Sequence, residues 1–195
     1  MIKNNQTVNL EHLNIMIADA NEPARRVLHT MLHSFGATHI AHASNGEDVK
    51  TELQRATVDL LICDITLDDS TAPELIKKVR QNRNLQARFI PIMITCGHSA
   101  FSDIARCRDV GANIVVKKPL SVQVLYDRLC WIAHKPRPFV DEDSYCGPCR
   151  RFKIEGFPNG VGRRAGDKPL EVADSAGPSM SQDEVDSFFN TNNAS

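Results

Sequence analysis

The chain has 195 residues, of which 42% are hydrophobic and 24% are charged, and its formal net charge is -1. This composition is ordinary for a globular protein with one domain and some additional chain. The small net charge gives no general attraction to nucleic acid or to an anionic membrane. No apolar run approaches the roughly 20 residues of a membrane helix, and residues 1–14 lack an apolar signal-peptide core. We therefore expect a cytoplasmic protein without membrane insertion.

Residues 13–133 alternate between short apolar runs and segments with helical spacing. The first helix is marked by a Pro near its start and a Gly just past its last apolar residue. The predicted strands are residues 13–19, 38–43, 58–64, 88–95 and 113–117, and the predicted helices are residues 22–36, 46–56, 73–82, 100–111 and 121–133. Because the strands are almost continuously apolar, they favour a parallel sheet that is covered on both faces. The sequence predicts a doubly wound five-stranded α/β fold.

Four polar side chains, two of them aspartates, lie at the ends of the predicted strands. Strand one ends at Asp19, strand three at Asp64, strand four at Thr95, and strand five at Lys118 followed by Pro119. The carboxyl ends of the strands in a doubly wound sheet converge on one edge, where ligands bind. Two carboxylates, a hydroxyl and an ammonium at one point can hold Mg²⁺ and present an aspartate to a phosphoryl group.

The motifs that carry these residues resemble a known family. IMIADAN, LLICD, IMIT and VVKKP, in this order, are similar to the strand-end motifs of receiver domains in bacterial two-component response regulators. The resemblance covers residues 13–134 and implies a flavodoxin-like sheet with strand order 2-1-3-4-5. It also implies a standalone chemotaxis-regulator-like receiver, of the alphaproteobacterial type with an arginine-containing C-terminal extension.

The resemblance also implies a role for each strand-end residue. The implied roles are phosphoacceptor for Asp64, switch hydroxyl for Thr95, phosphoryl contact for Lys118, and Mg²⁺ ligands for Asp19, Asp64 and the main-chain carbonyl of Thr66, with a cis Lys118-Pro119 bond. A protein of this family is a phosphoacceptor rather than a classical enzyme, with self-catalysed phosphoryl transfer and autodephosphorylation. Its partners would be a histidine kinase or histidine phosphotransfer protein and a downstream protein target.

One position departs from the family pattern. Ala20 stands where receivers usually carry a second acid that binds Mg²⁺, and its loss should weaken the metal site. Asp68, Asp69 and Glu22 are candidates to supply the missing charge. We favour a receiver that is phosphorylated on Asp64. The alternative is a phosphorylation-independent pseudo-receiver that acts as a protein-interaction or cyclic di-GMP-binding adaptor.

The segments outside the predicted domain have a different character. Residues 1–12 are interpreted as an N-terminal tail, and residues 135–180 as a linker that contains Pro, Gly and Arg. Residues 181–190 follow a capping-box pattern with a short apolar stripe, which predicts a helix that forms on docking to a receiver. The extension as a whole is predicted to be largely disordered. Because no DNA-binding pattern follows residue 134, we expect signalling through protein contact.

Two arginine pairs lie in the extension. They are Arg150, Arg151, Arg163 and Arg164. Guanidinium groups match phosphates and guanine edges, and similar arginine-rich extensions of some receivers bind cyclic di-GMP. These residues are therefore candidate dinucleotide contacts.

The sequence Cys146-Gly147-Pro148-Cys149 matches the dithiol of thioredoxin-like redox proteins. A reactive dithiol of that kind follows a strand and begins a helix, where the helix dipole lowers the thiol pKa. Here the predicted strands end by residue 117 and no helical pattern follows Cys149. A redox function is therefore the third and least favoured alternative.

Overall fold

The chain forms a parallel sheet surrounded by helices, with a small hairpin after the last helix. The structure is a computed structural model that describes residues 8–97, 101–150 and 172–173. The strands are β1 Asn14–Ala18, β2 His39–Ala43, β3 Leu60–Asp64, β4 Ile92–Cys96, β5 Ile114–Lys117, β6 Phe139–Asp141, β7 Cys146–Pro148 and β8 Val172–Ala173. The helices are α1 Glu22–Ser34, α2 Gly46–Arg55, α3 Ala72–Gln81, α4 Phe101–Asp109 and α5 Val122–His134, with a 3-10 turn at Gln86–Phe89.

The main sheet has the predicted parallel topology. Its strands lie in the order β2-β1-β3-β4-β5, which confirms the doubly wound fold, and β8 adds a two-residue parallel strand beside β5. In the central register Ala18 pairs with Cys63, and Asp64 pairs with Thr95. Lys117, the last residue of β5, pairs with Cys96. The carboxyl ends of these four strands therefore lie side by side.

Alternation along the buried strands divides the core into two layers. Ile15 and Ile17 of β1 pack with Leu28 of α1 and Leu125 of α5 on one face of the sheet. On the other face lie residues of β1, α2, α3 and α4, including Met16, Val49, Ile76 and Cys107. Side chains of a strand point alternately to opposite faces, so a sheet that is apolar on both faces needs helices on both faces.

Polar residues fix where three helices begin. The side chain of Asn21 accepts a hydrogen bond from the Ala24 amide (2.9 Å) at the start of α1, and Asn45 does the same for Asp48 (2.8 Å) in α2. Ser121 accepts from the amide of Val124 (3.2 Å) in α5. Each of these caps satisfies an amide that the first turn of a helix leaves without an intrahelical partner.

The fourth strand is shorter than predicted. Residues 88–95 were expected to form it, whereas β4 begins at Ile92 and the 3-10 turn occupies Gln86–Phe89. Pro91 has no amide hydrogen, so it cannot continue the hydrogen-bond ladder of a central strand. Its carbonyl still accepts from the Leu61 amide (3.1 Å), which joins the residue to β3 on one side only.

The interpretation of residues 135–180 as a linker is wrong for its first part. Strands β6 and β7 form an antiparallel hairpin, closed by two reciprocal backbone hydrogen bonds between Glu142 and Tyr145 (2.9 and 3.2 Å). The Tyr145 hydroxyl donates to the carbonyl of Pro148 (2.7 Å) and fixes the second strand. Residues 151–171 and 174–195, which include the predicted docking helix 181–190, lie outside the described residues.

The hairpin packs on the loop between α4 and β5 through two glycines. Gly111 has φ +105°, and a Cβ at this position would lie 2.5 Å from the Cys146 carbonyl oxygen. A Cβ on Gly147 would lie 2.7 Å from the Cα of Gly111. Since real Cβ atoms do not approach so closely, both positions require glycine for the hairpin to seat here.

Buried arginines join the same hairpin to the domain. The Arg80 side chain of α3 is almost fully buried. Its guanidinium donates to the carbonyl of Gly111 (3.0 and 3.2 Å) and to the carbonyl of Arg88. The same guanidinium lies 5.0 Å from the ring centroid of Phe139 in the hairpin. Arg88 donates to the Arg80 carbonyl (3.1 Å) and to the Asp141 carboxylate. These contacts lie at the amino-terminal ends of β4 and β5, opposite the edge where the predicted site residues end their strands.

None of the helices in residues 8–97 and 101–150 has both the length and the apolar character that a membrane crossing needs.

Candidate functional site

The side chains that were predicted to converge do lie together at the carboxyl edge of the sheet. Lys118 Nζ is 2.6 Å from Asp19 Oδ2 and also donates to Asp64 Oδ2. The Thr95 hydroxyl donates to the same Asp64 oxygen (3.3 Å). One oxygen of Asp64 is therefore contacted by both an ammonium and a hydroxyl. The peptide bond between Lys118 and Pro119 is cis, as the resemblance implied.

The ammonium of Lys118 is held in its charged form. Burial by itself would lower the pKa of Lys118, but the hydrogen bonds and charges of Asp19 and Asp64 outweigh it and raise the pKa above 10.5. A raised pKa of a cation means that its contribution to stability is complete below pH 10.5 and is lost only as the pH rises further. Lys118 therefore pairs with both carboxylates throughout the physiological range, and its single positive charge offsets one of their two negative charges.

The second oxygen of each carboxylate is fixed by the main chain. Asp64 Oδ1 accepts from the Thr66 amide (3.0 Å), and Asp19 Oδ1 accepts from the Asn21 amide (2.8 Å). The guanidinium of Arg25 donates to the carbonyls of Asp19 and Ala20 (3.1 Å to Ala20) and holds the loop between β1 and α1. Arg25 was not identified from the sequence, because a helix arginine gives no pattern that points to a loop carbonyl.

The donor atoms at this edge suit a hard cation, but they are few. Asp19 and Asp64 supply carboxylate oxygens, and Thr66 lies two residues after the second of them. Mg²⁺ takes oxygen ligands and keeps several waters, so one or two carboxylates are enough to hold it. In the part of the chain that the structure describes, no three His, Cys, Asp or Glu side chains converge as a metal cage.

The acids proposed to replace the missing carboxylate have other contacts. The carboxylate of Asp69 accepts from the amides of Gly46 (2.6 Å) and Glu47 (3.1 Å) at the start of α2, and these hydrogen bonds lower the pKa of Asp69. Glu22 forms an ion pair with Arg26 (2.6 Å) on the surface of α1. Both acids are therefore already engaged in contacts with other groups. Asp68 is exposed, and its amide donates to the Ser44 carbonyl (3.2 Å).

Of the four candidate dinucleotide contacts, only Arg150 lies in the described residues. Its guanidinium is 3.2 Å from an Asp109 carboxylate oxygen and lies 4.3 Å from the ring centroid of Tyr145. The side chain therefore packs on its own hairpin, away from the carboxyl edge of the sheet. Arg151, Arg163 and Arg164 fall outside the described residues.

The two cysteines of the Cys-Gly-Pro-Cys sequence lie in the hairpin rather than at a strand-to-helix junction. Cys146 is the first residue of β7 and is buried, and both thiols are free. Hydrogen bonding to Cys146 and the charge of Asp141 raise the pKa of the Arg88 guanidinium, which lies beside the thiol. Gly147 and Pro148, between the cysteines, are part of β7, and Gly147 allows the hairpin to pack closely against Gly111.

The fold and the strand-end residues together define a class of protein. The family model described as the response regulator receiver domain matches residues 15–130. This match spans more than half of the chain, which therefore belongs to the response regulator receiver family. Receivers of this family are phosphoacceptors rather than classical enzymes; they typically bind Mg²⁺ and interact with histidine kinases and downstream targets.

Particular relatives agree with this membership. The chain is 26% identical over 117 residues to the chemotaxis protein CheY of Pseudomonas aeruginosa, covering 60% of this chain and 93% of that protein. A putative response regulator from Chloroflexus aurantiacus superimposes with a TM-score of 0.57 at 25% identity, over 63% of this chain and 98% of the other. The fold also matches the chemotaxis response regulator CheY4 of Vibrio cholerae, with a TM-score of 0.55 at 23% identity over 60% of this chain and 95% of the other.

Proposed function

We propose that Asp64 accepts a phosphoryl group from the phosphohistidine of a histidine kinase or a histidine phosphotransfer protein, and that the phosphorylated domain signals by contact with a downstream protein. The observation that carries this proposal is the shared contact of Lys118 and Thr95 with one oxygen of Asp64. An aspartate held in this way presents a nucleophile beside groups that can receive the oxygens of the incoming phosphoryl group.

The chemistry follows from these contacts. An oxygen of the Asp64 carboxylate forms a bond to phosphorus while the bond from phosphorus to the donor nitrogen breaks, and the donor imidazole leaves with that electron pair. Lys118 then exchanges its contact with Asp64 for a phosphoryl oxygen, and the Thr95 hydroxyl follows the same group. The transfer needs positioning and charge neutralisation more than bond chemistry from the protein.

Asp19, Asp64 and the main-chain carbonyl of Thr66 are the groups that would hold Mg²⁺. Bound there, the ion would neutralise part of the charge on the phosphoryl oxygens. Lys118 offsets only one of the two carboxylate charges at neutral pH, so a net negative charge remains there to attract the ion. With Ala20 in place of an acid, we infer a metal site that is weak and reaches useful occupancy only at high Mg²⁺ concentration.

Intact-mass measurement after incubation with acetyl phosphate tests the proposal. We expect the chain to gain the mass of a single phosphoryl group when Mg²⁺ is present, and to gain none after chelation by EDTA. The fluorescence of Trp131, the only tryptophan, gives a second readout of binding by beryllofluoride. A chain that stays unlabelled across a wide range of Mg²⁺ concentrations would instead support the phosphorylation-independent adaptor.

Replacing Ala20 by aspartate is expected to strengthen Mg²⁺ binding on the order of tenfold, because it adds a charged oxygen ligand to a site that has few. Phosphorylation by acetyl phosphate should then reach half its rate at a correspondingly lower Mg²⁺ concentration, which a titration of the initial rate measures. Asn21→Asp is the matched control. It adds the same charge one residue away and keeps the oxygen that caps α1. Equal effects of both variants would show that net charge, and not coordination, governs binding.

A further inference from the structure

Three imidazoles lie together on the surface where α1 faces β2. His29 and His33 are one helical turn apart on α1, and their rings stack with centroids 6.3 Å apart at 9°. His42 of β2 approaches them, with 2.9 Å between its Nε2 and Nδ1 of His29. The rings of His29 and His42 are 5.0 Å apart between centroids and 20° from parallel. None of the three contributes to the phosphoryl site.

The contact between His29 and His42 requires one ring nitrogen to donate and the other to accept, so the accepting imidazole is neutral. Burial, the charge of His29 and the charge of Arg25 all lower the pKa of His42. Arg25 itself is held by main-chain carbonyls of the loop after β1. Neutral imidazole is the form that binds metal ions, so a ring that is already neutral has no proton to lose before it binds.

We propose that His29, His33 and His42 bind a divalent ion of the late first transition row, namely Ni²⁺, Cu²⁺ or Zn²⁺. His29 Nδ1 and His42 Nε2 are the first two ligands, and the shared proton moves to the other nitrogen of its ring. Two nitrogens bound at about 2.0–2.1 Å and at right angles to one another, as in tetragonal Ni²⁺ and Cu²⁺ sites, are separated by about 2.9 Å, the distance between these atoms. Tetrahedral Zn²⁺ requires the two rings to move slightly apart.

The surface position of the cluster allows the remaining adjustment. No group of three ligands is already converged among residues 8–97 and 101–150, so the third ligand requires a rotation of His33. His33 and His42 are exposed, and the His29 side chain is half-buried, so their rings can turn toward one ion. Imidazole prefers these metals, whereas Mg²⁺ prefers oxygen, so the site is chemically distinct from the carboxylates at Asp19 and Asp64.

Titration of the metal-free full chain with Ni²⁺ by calorimetry, in excess Mg²⁺, tests the proposal. We expect one Ni²⁺ per chain for the wild type, a loss of affinity of about tenfold or more for His29→Ala and for His42→Ala, and a smaller loss for His33→Ala. His39→Ala is the matched control. It removes an exposed imidazole from the same strand, but three residues away and on the opposite face. This variant should bind Ni²⁺ as the wild type does.

A second measurement separates ligand loss from misfolding. Ni²⁺ should raise the urea midpoint of the wild type and of Asp64→Asn, but not that of His42→Ala, because an ion stabilises only the folded chain that binds it. Unchanged Ni²⁺ affinity in His29→Ala or His42→Ala would overturn the site, as would a loss seen instead in Cys146→Ser with Cys149→Ser. Unchanged affinity in His33→Ala would overturn the third ligand.

Discussion

Replacing Asp64 by asparagine is expected to abolish phosphorylation by acetyl phosphate, with a fall in rate on the order of a thousandfold or more. The amide of asparagine keeps the shape of the carboxylate and can still accept from Lys118 and Thr95, but it is not a nucleophile at neutral pH. The fold should therefore survive while the chemistry is lost. Intact-mass measurement over time, in saturating Mg²⁺, gives the rate for wild type and variant.

Asp68→Asn is the matched control for this prediction. Asp68 is exposed and follows Asp64 by four residues, so the substitution makes the same chemical change close to the site. Because saturating Mg²⁺ fills the site even if Asp68 adds to its charge, we expect the control to be phosphorylated as the wild type is. Retained labelling of Asp64→Asn would show that another group accepts the phosphoryl group, and peptide mapping would then identify it. Loss in both variants would point to the net charge of the loop rather than to a nucleophile.

The residues at the carboxyl edge could be found from the sequence because topology alone brings them together. Asp19, Asp64 and Thr95 each follow a continuous apolar run, Lys118 follows one with a single lysine between, and parallel strands in a doubly wound sheet end on one edge. No knowledge of side-chain packing is needed for that inference. What the pattern could not supply is the hydrogen-bond geometry, in which one oxygen of Asp64 takes two donors.

The hairpin could not be found in the same way because it has almost no periodicity. Its strands have three residues each, and Gly147 and Pro148 in the second strand are typical of turns. The sequence does contain one indication of the hairpin, the consecutive apolar residues Phe139 and Val140. An exposed linker rarely carries such a pair, so it indicates a segment that packs on the domain. The burial of Arg80 could not be predicted from the sequence either, because an arginine in an amphipathic helix normally indicates the exposed face.

Different interactions therefore stabilise the two edges of the sheet. At the carboxyl edge, charges are concentrated around Asp64, and the site is built from strand ends. At the amino-terminal edge, a guanidinium is buried among carbonyl oxygens, and the hairpin covers it. Asn113 links the guanidinium to the sheet, because its side-chain oxygen accepts from Arg80 (3.2 Å) and from the amide of Ile92 (2.9 Å). The hairpin is in this sense part of the domain and not an appendage.

Replacing Arg80 by methionine is expected to lower the free energy of unfolding by about 3 kcal/mol. Methionine fills much of the same space but leaves the carbonyls of Gly111 and Arg88 without their buried donors, and each unpaired acceptor costs free energy. Burial lowers the pKa of Arg80 to about 10, so the side chain is still charged at pH 7. The free energy lost by burying this charge offsets part of the free energy gained from its hydrogen bonds. Urea unfolding, followed through Trp131, measures the change.

Arg83→Met is the control for this prediction, because Arg83 lies two residues after the end of α3, is 71% exposed and pairs with an exposed Asp143. Surface ion pairs contribute little, so we expect its unfolding curve to overlie that of the wild type. Limited proteolysis adds a local readout, since Arg80→Met should expose residues 135–150 to cleavage before the rest of the domain unfolds. Equal stability of the wild type and Arg80→Met would contradict the buried contacts that join the hairpin to the sheet.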